Sequence, residues 1–187
     1  MPSCSETPTL NYISEDETIL AFGDSLTVGV GASDESNYPS TLERLANRNV
    51  VNAGISGETT REGLDRLPGV MDDVNPKLVI LLEGGNDILR NKSLDQTKQN
   101  LAEMINIIQS HGAEVILIGV PEKKLFSSVA PFYTELAQEY NLVFIDELLS
   151  DMLRDNQYKS DPIHLNAKGY QKLAEEIHER LAKSGAL

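Results

Sequence analysis

Three residues that can do chemistry together stand far apart in the chain. Ser25 comes shortly after the apolar run Ile19–Phe22, and Asp161 and His164 stand three positions apart near the other end. A serine hydroxyl becomes a nucleophile when a histidine within hydrogen-bond reach takes its proton and a carboxylate holds that histidine in one tautomer. These residue types predict acyl transfer, provided that the fold brings them together.

The three histidines of the chain occupy different settings. His111 precedes the glycine that ends a predicted helix, where a cation is favourable, and His178 lies among glutamates in the last predicted helix. Both settings are typical of structural residues. His164 lies in a loop just before a helix, so a single turn can bring the Asp161 carboxylate to its Nδ1 while Nε2 faces outward.

Acyl transfer also needs hydrogen-bond donors for the charge that develops on the carbonyl oxygen. Gly54 follows the second apolar run of the chain, and Asn86 follows the third. A backbone N–H at a glycine and a side-chain amide can both donate to such an oxyanion. Taken singly, Gly54 is equally consistent with a tight turn and Asn86 with an Asx turn.

The elements that must position these residues alternate between strands and helices, as in βαβ units. The central runs 78–82 and 115–118 are apolar at every position, which is expected of parallel strands covered on both faces. The sequence predicts an α/β fold, a three-layer doubly wound (flavodoxin-like) sandwich with a five-stranded, mostly parallel sheet. The predicted strands are Ile19–Phe22, Val50–Val51, Leu78–Leu82, Val115–Val120 and Leu142–Ile145. Ligands of such sheets bind outside the carboxyl ends of the strands.

Capping residues and apolar stripes predict the helices. Pro39 suits the first turn of one helix, and a stripe from Leu101 to Ile108 marks a second helix that Gly112 ends. Asn166 is a candidate cap for the last helix. We expect these apolar faces to be core.

Four blocks in chain order resemble those of the SGNH, or GDSL, hydrolases. They are Gly23–Leu26, Asn52–Gly57, Gly84–Asp87 and Asp161–His164. The resemblance extends from about Ile19 to the end of the chain and is closest to the bacterial arylesterase, thioesterase I and lysophospholipase L1 group. One block alone is weak evidence, but four in order are strong.

The resemblance implies a role for each matching residue. Ser25 would be the nucleophile, and its N–H would join Gly54 and Asn86 in the oxyanion hole. His164 would be the general base and then the general acid, and Asp161 would orient it. These roles coincide with those that the chemistry requires, and the reaction needs no cofactor and no metal.

Two acidic residues flank the catalytic positions. We expect the carboxylates of Asp24 and Asp87 to accept hydrogen bonds from loop N–H groups and so hold the shape of the site. The segment around Ser25 lacks the second glycine of the G-x-S-x-G elbow, which disfavours the α/β-hydrolase fold.

The expected function is a serine esterase that acts on small carboxylic esters, with short-acyl or aryl groups or thioesters, through an acyl-enzyme. The alternatives are a lysophospholipase, an acyl-CoA thioesterase or a carbohydrate O-acetylesterase of the same fold, and, from other classes, a flavodoxin-like binding module or a catalytically silent interaction domain. Absent tryptophan and 5% aromatic residues argue against stacking on sugars or flavin. The segments expected to border the pocket are Leu64–Pro68, Ile88–Arg90 and Pro121–Phe126.

The composition of the chain limits which partners it can bind and how many domains it can form. A net charge of −13 over 187 residues disfavours nucleic acid as a partner, and the sequence has no apolar run near the ~18 residues of a membrane-spanning helix. It gives no indication of oligomeric state. We expect a polar tether over residues 1–17 and one hydrolase domain over residues 18–187.

The single cysteine, Cys4, stands in the polar segment 4–9. The segment resembles the start of a mature bacterial lipoprotein, so the expectation is a periplasmic protein with a lipid anchor on Cys4 if an export signal has been trimmed. If the sequence is complete as given, the expectation is a cytoplasmic protein.

Overall fold

A five-stranded sheet forms the centre of the fold. The computed structural model describes residues 8–122 and 128–187. The strands are β1 (Thr18–Gly23), β2 (Asn49–Gly54), β3 (Leu78–Leu82), β4 (Glu114–Ile118) and β5 (Val143–Ile145). Neighbouring strands are all parallel, in the order β2-β1-β3-β4-β5. The predicted α/β sheet is confirmed.

Strand bounds differ from the predicted ones where polar residues interrupt the apolar pattern. The edge strand β2 extends beyond Val50–Val51 on both sides, because Asn49 and Asn52 also pair with residues of β1. All five residues of the central strand β3 are buried. This is the consequence of covering a parallel strand on both faces.

Helices flank the sheet in two packed pairs, α2 against α8 and α3 against α5. Asn166 caps α8 as predicted, accepting a hydrogen bond from the Gly169 N–H at 3.0 Å. Gly112 lies two residues after the end of α5 and has the left-handed conformation, with φ +80°, as expected of a residue that ends a helix. The helices of the described ranges are α1 (Ser25–Val28), α2 (Tyr38–Ala46), α3 (Thr60–Val74), α4 (Gly85–Leu89), α5 (Leu94–Ser110), α6 (Pro131–Glu139), α7 (Leu148–Arg154) and α8 (Ala167–Ser184).

The strand order reverses at β1, which pairs with β2 on one side and β3 on the other. In a doubly wound sheet, the crevice at such a reversal opens at the carboxyl ends of the strands. Ser25 follows β1 and Asn86 follows β3, so both residues reach this crevice.

The segment before β1 packs against the domain, which differs from the tether boundary expected at residue 17. The Leu10 N–H donates to the Ser184 carbonyl and the Ile13 N–H to the Ala186 carbonyl, both at 2.9 Å. Ile13 is fully buried. The apolar residues of the segment before β1 follow neither a strand period nor a helix period, so the sequence pattern did not predict this packing. Residues 1–7, including Cys4, lie outside the described residues.

No helix within the described ranges is both long enough and apolar enough to span a membrane.

Candidate active site

Strand β1 brings Ser25 to the edge of the sheet through a tight turn. The Asp24 carboxylate accepts a hydrogen bond from the Leu26 N–H at 3.0 Å and so caps α1, whose first residue is Ser25. A Cβ at Gly23 would lie 2.2 Å from the Leu82 carbonyl oxygen. Glycine at this point lets the turn lie directly against β3.

One carboxylate closes the loop that carries His164. Asp161 Oδ1 accepts hydrogen bonds from the N–H groups of Ile163, at 2.8 Å, and His164, at 2.9 Å. Its Oδ2 lies 2.7 Å from His164 Nδ1. The other ring nitrogen, Nε2, lies 3.0 Å from the Ser25 hydroxyl, across 139 positions of sequence.

These contacts form one continuous line from Asp161 through His164 to Ser25. When Nδ1–H donates to the carboxylate, Nε2 keeps a lone pair that can accept the serine proton. Burial raises the pKa of the Asp161 carboxyl, but the hydrogen bonds from the His164 ring and the two loop N–H groups outweigh it, so its pKa lies below the usual value. The carboxylate is thus ionised at neutral pH and can stabilise a positive ring.

Gly54 lies against the helix that carries the serine. A Cβ there would lie 2.4 Å from the Val28 nitrogen and 2.8 Å from the Thr27 carbonyl carbon. The Gly54 N–H donates to Asn52 Oδ1 at 3.0 Å, and the Asn52 amide donates to the Thr27 carbonyl at 2.9 Å. Asn52 therefore ties the end of β2 to α1.

Asn86 is the second residue of α4, and two acceptors hold its amide. Nδ2 donates to Asp24 Oδ2 at 3.1 Å and to the Glu58 carbonyl at 2.9 Å. Because only the nitrogen can face two acceptors, the amide has one orientation. Gly84, the residue just before α4, has φ +104°, and a Cβ on it would lie 2.4 Å from the Tyr133 hydroxyl.

Asp24 lies beneath both Ser25 and Asn86. Its carboxyl is buried, and burial raises its pKa to about 6; the Leu26 N–H and the charge of His164 lower it, while the charge of Glu58 raises it. The carboxyl group thus changes charge within the range of neutral and mildly acidic pH.

Asp87 contacts the start of α3 and is not among the described residues that line the cavity beside Ser25. Its two oxygens accept hydrogen bonds from the Thr60 N–H and the Thr60 hydroxyl, each at 2.8 Å. The Thr60 hydroxyl in turn accepts from the Asn100 amide at 2.9 Å. Asp87 therefore joins α4 to the first residue of α3 and, through Thr60, to α5.

An ion pair under the site was not foreseen from the sequence. Arg66 on α3 donates two hydrogen bonds to the buried Glu58 carboxylate, both at 2.6 Å. It also donates to the Ala53 carbonyl at 2.8 Å, and its guanidinium lies 3.9 Å from the centre of the Phe22 ring. A glutamate directly after the second block and an arginine eight positions further on were the available signal.

A cavity of about 990 Å³ opens beside these residues. Asp24, Ser25, Asn86 and His164 line it, whereas Gly54, Asp87 and Asp161 are not among its described lining residues. Its apolar wall consists of Leu26, Val30, Ile88, Leu89, Val120, Pro121, Leu153, Pro162 and Ile163.

Three segments were expected to border the pocket, and two of them, Ile88–Arg90 and Pro121–Phe126, contribute residues to its wall. Ile88, Leu89, Pro121 and Glu122 lie on the wall, and residues 123–126 lie outside the described residues. The expectation for Leu64–Pro68 is wrong: this segment belongs to α3, and the side chains of Leu64 and Leu67 are buried in the core.

The other histidines lie elsewhere. His111 Nδ1 lies 2.8 Å from the Ile107 carbonyl at the end of α5, and Nε2 lies 3.3 Å from Asp72. His178 is half-buried on α8. Within the described ranges no three His, Cys, Asp or Glu side chains are arranged to hold a metal ion.

Sequence comparison identifies related proteins. The model of the GDSL-like Lipase/Acylhydrolase family matches residues 21–172. Esterase TesA of Pseudomonas aeruginosa is 35% identical over 140 residues, covering 72% of this chain and 68% of that protein. Thioesterase 1/protease 1/lysophospholipase L1 of Escherichia coli is 30% identical, covering 88% and 83%. An arylesterase of Vibrio mimicus is 31% identical, covering 89% of each.

A solved structure supports the fold. The psychrotrophic esterase EstA from Pseudoalteromonas sp. superposes with a TM-score of 0.80 at 23% identity, covering 90% of this chain and 98% of that one. The architecture is therefore shared well beyond the short motifs.

Proposed function

The chain belongs to the family of GDSL-like lipases and acylhydrolases, and from this premise we propose that it hydrolyses aryl or short-acyl esters through an acyl-enzyme on Ser25. It is a carboxylic ester hydrolase, and its family acts on small ester substrates. The observation that carries the proposal is the 3.0 Å contact between the Ser25 hydroxyl and His164 Nε2.

The reaction runs in two halves. The Ser25 oxygen attacks the ester carbonyl carbon and its proton passes to His164 Nε2; the carbon–oxygen bond to the alcohol then breaks, and the alcohol leaves with that proton. Water next attacks the acyl-enzyme and gives a proton to His164. The bond to Ser25 breaks, the acid leaves and the serine regains its proton.

Three donors serve the oxyanion in this proposal: the N–H of Ser25, the N–H of Gly54 and the amide of Asn86. The Ser25 N–H is the first of α1 and has no acceptor within the helix. The other two donors already have partners in Asn52 and in Asp24 and Glu58. The developing charge is a stronger acceptor than the Asn52 amide oxygen or the Glu58 main-chain carbonyl, so it draws the Gly54 N–H and the Asn86 N–H that faces Glu58 as it forms.

The cavity supports an apolar acyl or aryl group. Nine of its lining residues, from Leu26 to Ile163, are apolar, and Leu89 and Ile163 are exposed at its surface. These residues gain from burying an apolar group of the substrate.

One observation favours a second candidate. A volume of about 990 Å³ stands at the top of the range of ~300–1,000 Å³ for small-molecule sites, which leaves room for a long acyl chain. A thioesterase or lysophospholipase activity, as in the name of the Escherichia coli relative, is the alternative that this size supports.

Labelling by an organophosphonate tests the serine mechanism. We expect one adduct per chain, located on Ser25 by mass spectrometry of peptides, and none in Ser25→Ala. Ser110→Ala, at the exposed end of α5, is the matched control and should label like the wild type. An adduct on another residue, or Ser25→Ala turnover near the wild-type value, would refute the proposal.

A series of p-nitrophenyl esters separates the two substrate classes. We expect kcat/KM to be highest for short acyl groups. A maximum at long chains would favour the second candidate instead.

Export and a lipid anchor on Cys4 stay predictions from the sequence. Mass spectrometry of the native protein tests them, because an unmodified residue before Cys4 in the mature protein would exclude lipidation.

A further inference from the structure

Glu83 is a fully buried carboxyl group behind the candidate oxyanion residues. It stands between β3 and Gly84. Its Oε2 accepts a hydrogen bond from the Gly84 N–H at 3.1 Å, and no described group donates to its Oε1. One weak donor does not stabilise a buried carboxylate, so the ionised form of this side chain is unfavourable here.

The charges that face Glu83 make its ionisation harder still. The carboxyls of Asp24 and Glu58 act on it, and Arg66 is paired with Glu58 through two hydrogen bonds of 2.6 Å. The Tyr133 hydroxyl donates to the Glu83 main-chain carbonyl at 2.6 Å and so offers no hydrogen bond to the side chain. Burial, and then the charges of Asp24 and Glu58, raise the pKa of Glu83 well above its usual value.

As a neutral acid, Glu83 has one O–H to donate, and the carboxylate that it contacts is that of Glu58. Glu58 also contributes its main-chain carbonyl to the Asn86 amide, at 2.9 Å. A chain of contacts therefore runs from Arg66 and Glu83 through Glu58 to Asn86.

We propose that Glu83 is a positioning residue for the esterase reaction: as the neutral acid it donates a hydrogen bond to Glu58 and thereby holds the Glu58 carbonyl that orients Asn86. Its neutrality also keeps a negative charge away from the place where the oxyanion forms. The inference rests on the proposed function, specifically on Asn86 as an oxyanion donor.

Two substitutions at Glu83 test whether the hydrogen bond that it donates matters to the reaction. Glu83→Gln keeps an N–H donor for Glu58 and an oxygen for the Gly84 N–H, so we expect kcat within about twofold of the wild type. Glu83→Ala loses both, and we expect kcat to fall about 10- to 100-fold at nearly constant KM. Glu175→Gln, on an exposed position of α8, is the control. Equal kcat in Glu83→Ala and the wild type, or a Gln variant as slow as the Ala variant, would overturn the inference.

A double substitution tests whether Glu83 acts through Asn86. We expect Glu83→Ala to slow the Asn86→Ala enzyme by less than about threefold, because the orientation that it supports is already lost. An undiminished effect in that background would contradict the inference. If organophosphonate still labels Ser25, such a result counts against Glu83 alone and leaves the proposed function standing.

Infrared spectroscopy detects the acid directly and needs neither activity nor a folded Ala variant. At about pH 8, well above the pKa of about 6 of Asp24, we expect the wild type to show the carbonyl band of a buried protonated carboxyl. The band should be absent from Glu83→Gln and retained in Glu175→Gln. A wild-type spectrum without this band would overturn the inference.

Discussion

The Asn86 amide donates to the Asp24 carboxylate at 3.1 Å, across 62 positions of sequence. This contact joins the turn after β1 to the turn after β3 and sets which atom of the amide faces the serine side of the crevice. It also places a titratable group next to a candidate oxyanion donor. The charge of Asp24 therefore affects how Asn86 donates a hydrogen bond to the oxyanion.

Asn86→Ala removes one donor of the proposed oxyanion hole. We expect kcat to fall about 10²- to 10³-fold with little change in KM, because the lost hydrogen bond strengthens only in the transition state. Steady-state kinetics on a p-nitrophenyl ester measure both constants. Asn106→Ala, which loses an exposed amide on α5, should match the wild type. A change confined to KM would make Asn86 a binding residue.

Asp24→Asn should change how stability depends on pH. The pKa of Asp24 is about 6 in the folded protein and 3.8 as its ordinary value. The folded state therefore binds this proton more tightly, so the free energy of unfolding falls as pH rises from about 4 to about 6, by about 3 kcal/mol in all. We expect Asp24→Asn to lack this fall in urea unfolding across that pH range. An equally steep fall in the variant would contradict the assignment.

The same variant should be less active although its fold is more stable at neutral pH. An asparagine that keeps its oxygen on the Leu26 N–H turns its own amide nitrogen toward the Asn86 amide nitrogen, and two donors cannot pair. We expect Asn86 to shift and kcat to fall about tenfold or more. Asp95→Asn, on an exposed position of α5, serves as the matched control for both measurements.

The sequence predicted the sheet and the members of the candidate site because both depend on local signals. A short apolar run rich in β-branched residues and followed by turn residues, such as Leu78–Leu82, is typical of a buried parallel strand. The three-residue spacing of Asp161 and His164 fits one turn, and the structure brings this turn to Ser25 at 3.0 Å.

The support beneath the site could not be predicted in the same way. Arg66 and Glu58 stand eight positions apart and meet only because α3 folds back over the end of β2. Glu83 directly follows an apolar strand, and its sequence neighbours do not reveal that Glu58 and Asp24 face it. Buried charge depends on which distant side chains share a space, and short patterns carry no such information.

Arg66→Met should destabilise the protein more than any loss of surface charge. It leaves the buried Glu58 carboxylate without its cation, so we expect the free energy of unfolding to fall by about 3–5 kcal/mol. Arg61→Met is the control, because its pair with Asp65 is exposed and should matter by less than about 0.5 kcal/mol. Urea unfolding of the two variants gives the comparison. Equal losses would show that the Glu58 pair is as dispensable as a surface pair.

Gly54→Ala should damage the site through backbone crowding. The added methyl group would lie 2.4 Å from the Val28 nitrogen, so α1 must move and carry Ser25 away from His164. A shift of about 1 Å lowers kcat by about 10²-fold, and the crowding costs about 1–3 kcal/mol of stability. Gly69→Ala is the matched control, since a Cβ there meets no atom within 4 Å in the interior of α3. It should keep full activity and stabilise the protein by about 0.5–1 kcal/mol. If Gly54→Ala were as active and as stable as Gly69→Ala, the close packing of β2 on α1 would not be what holds the serine in place.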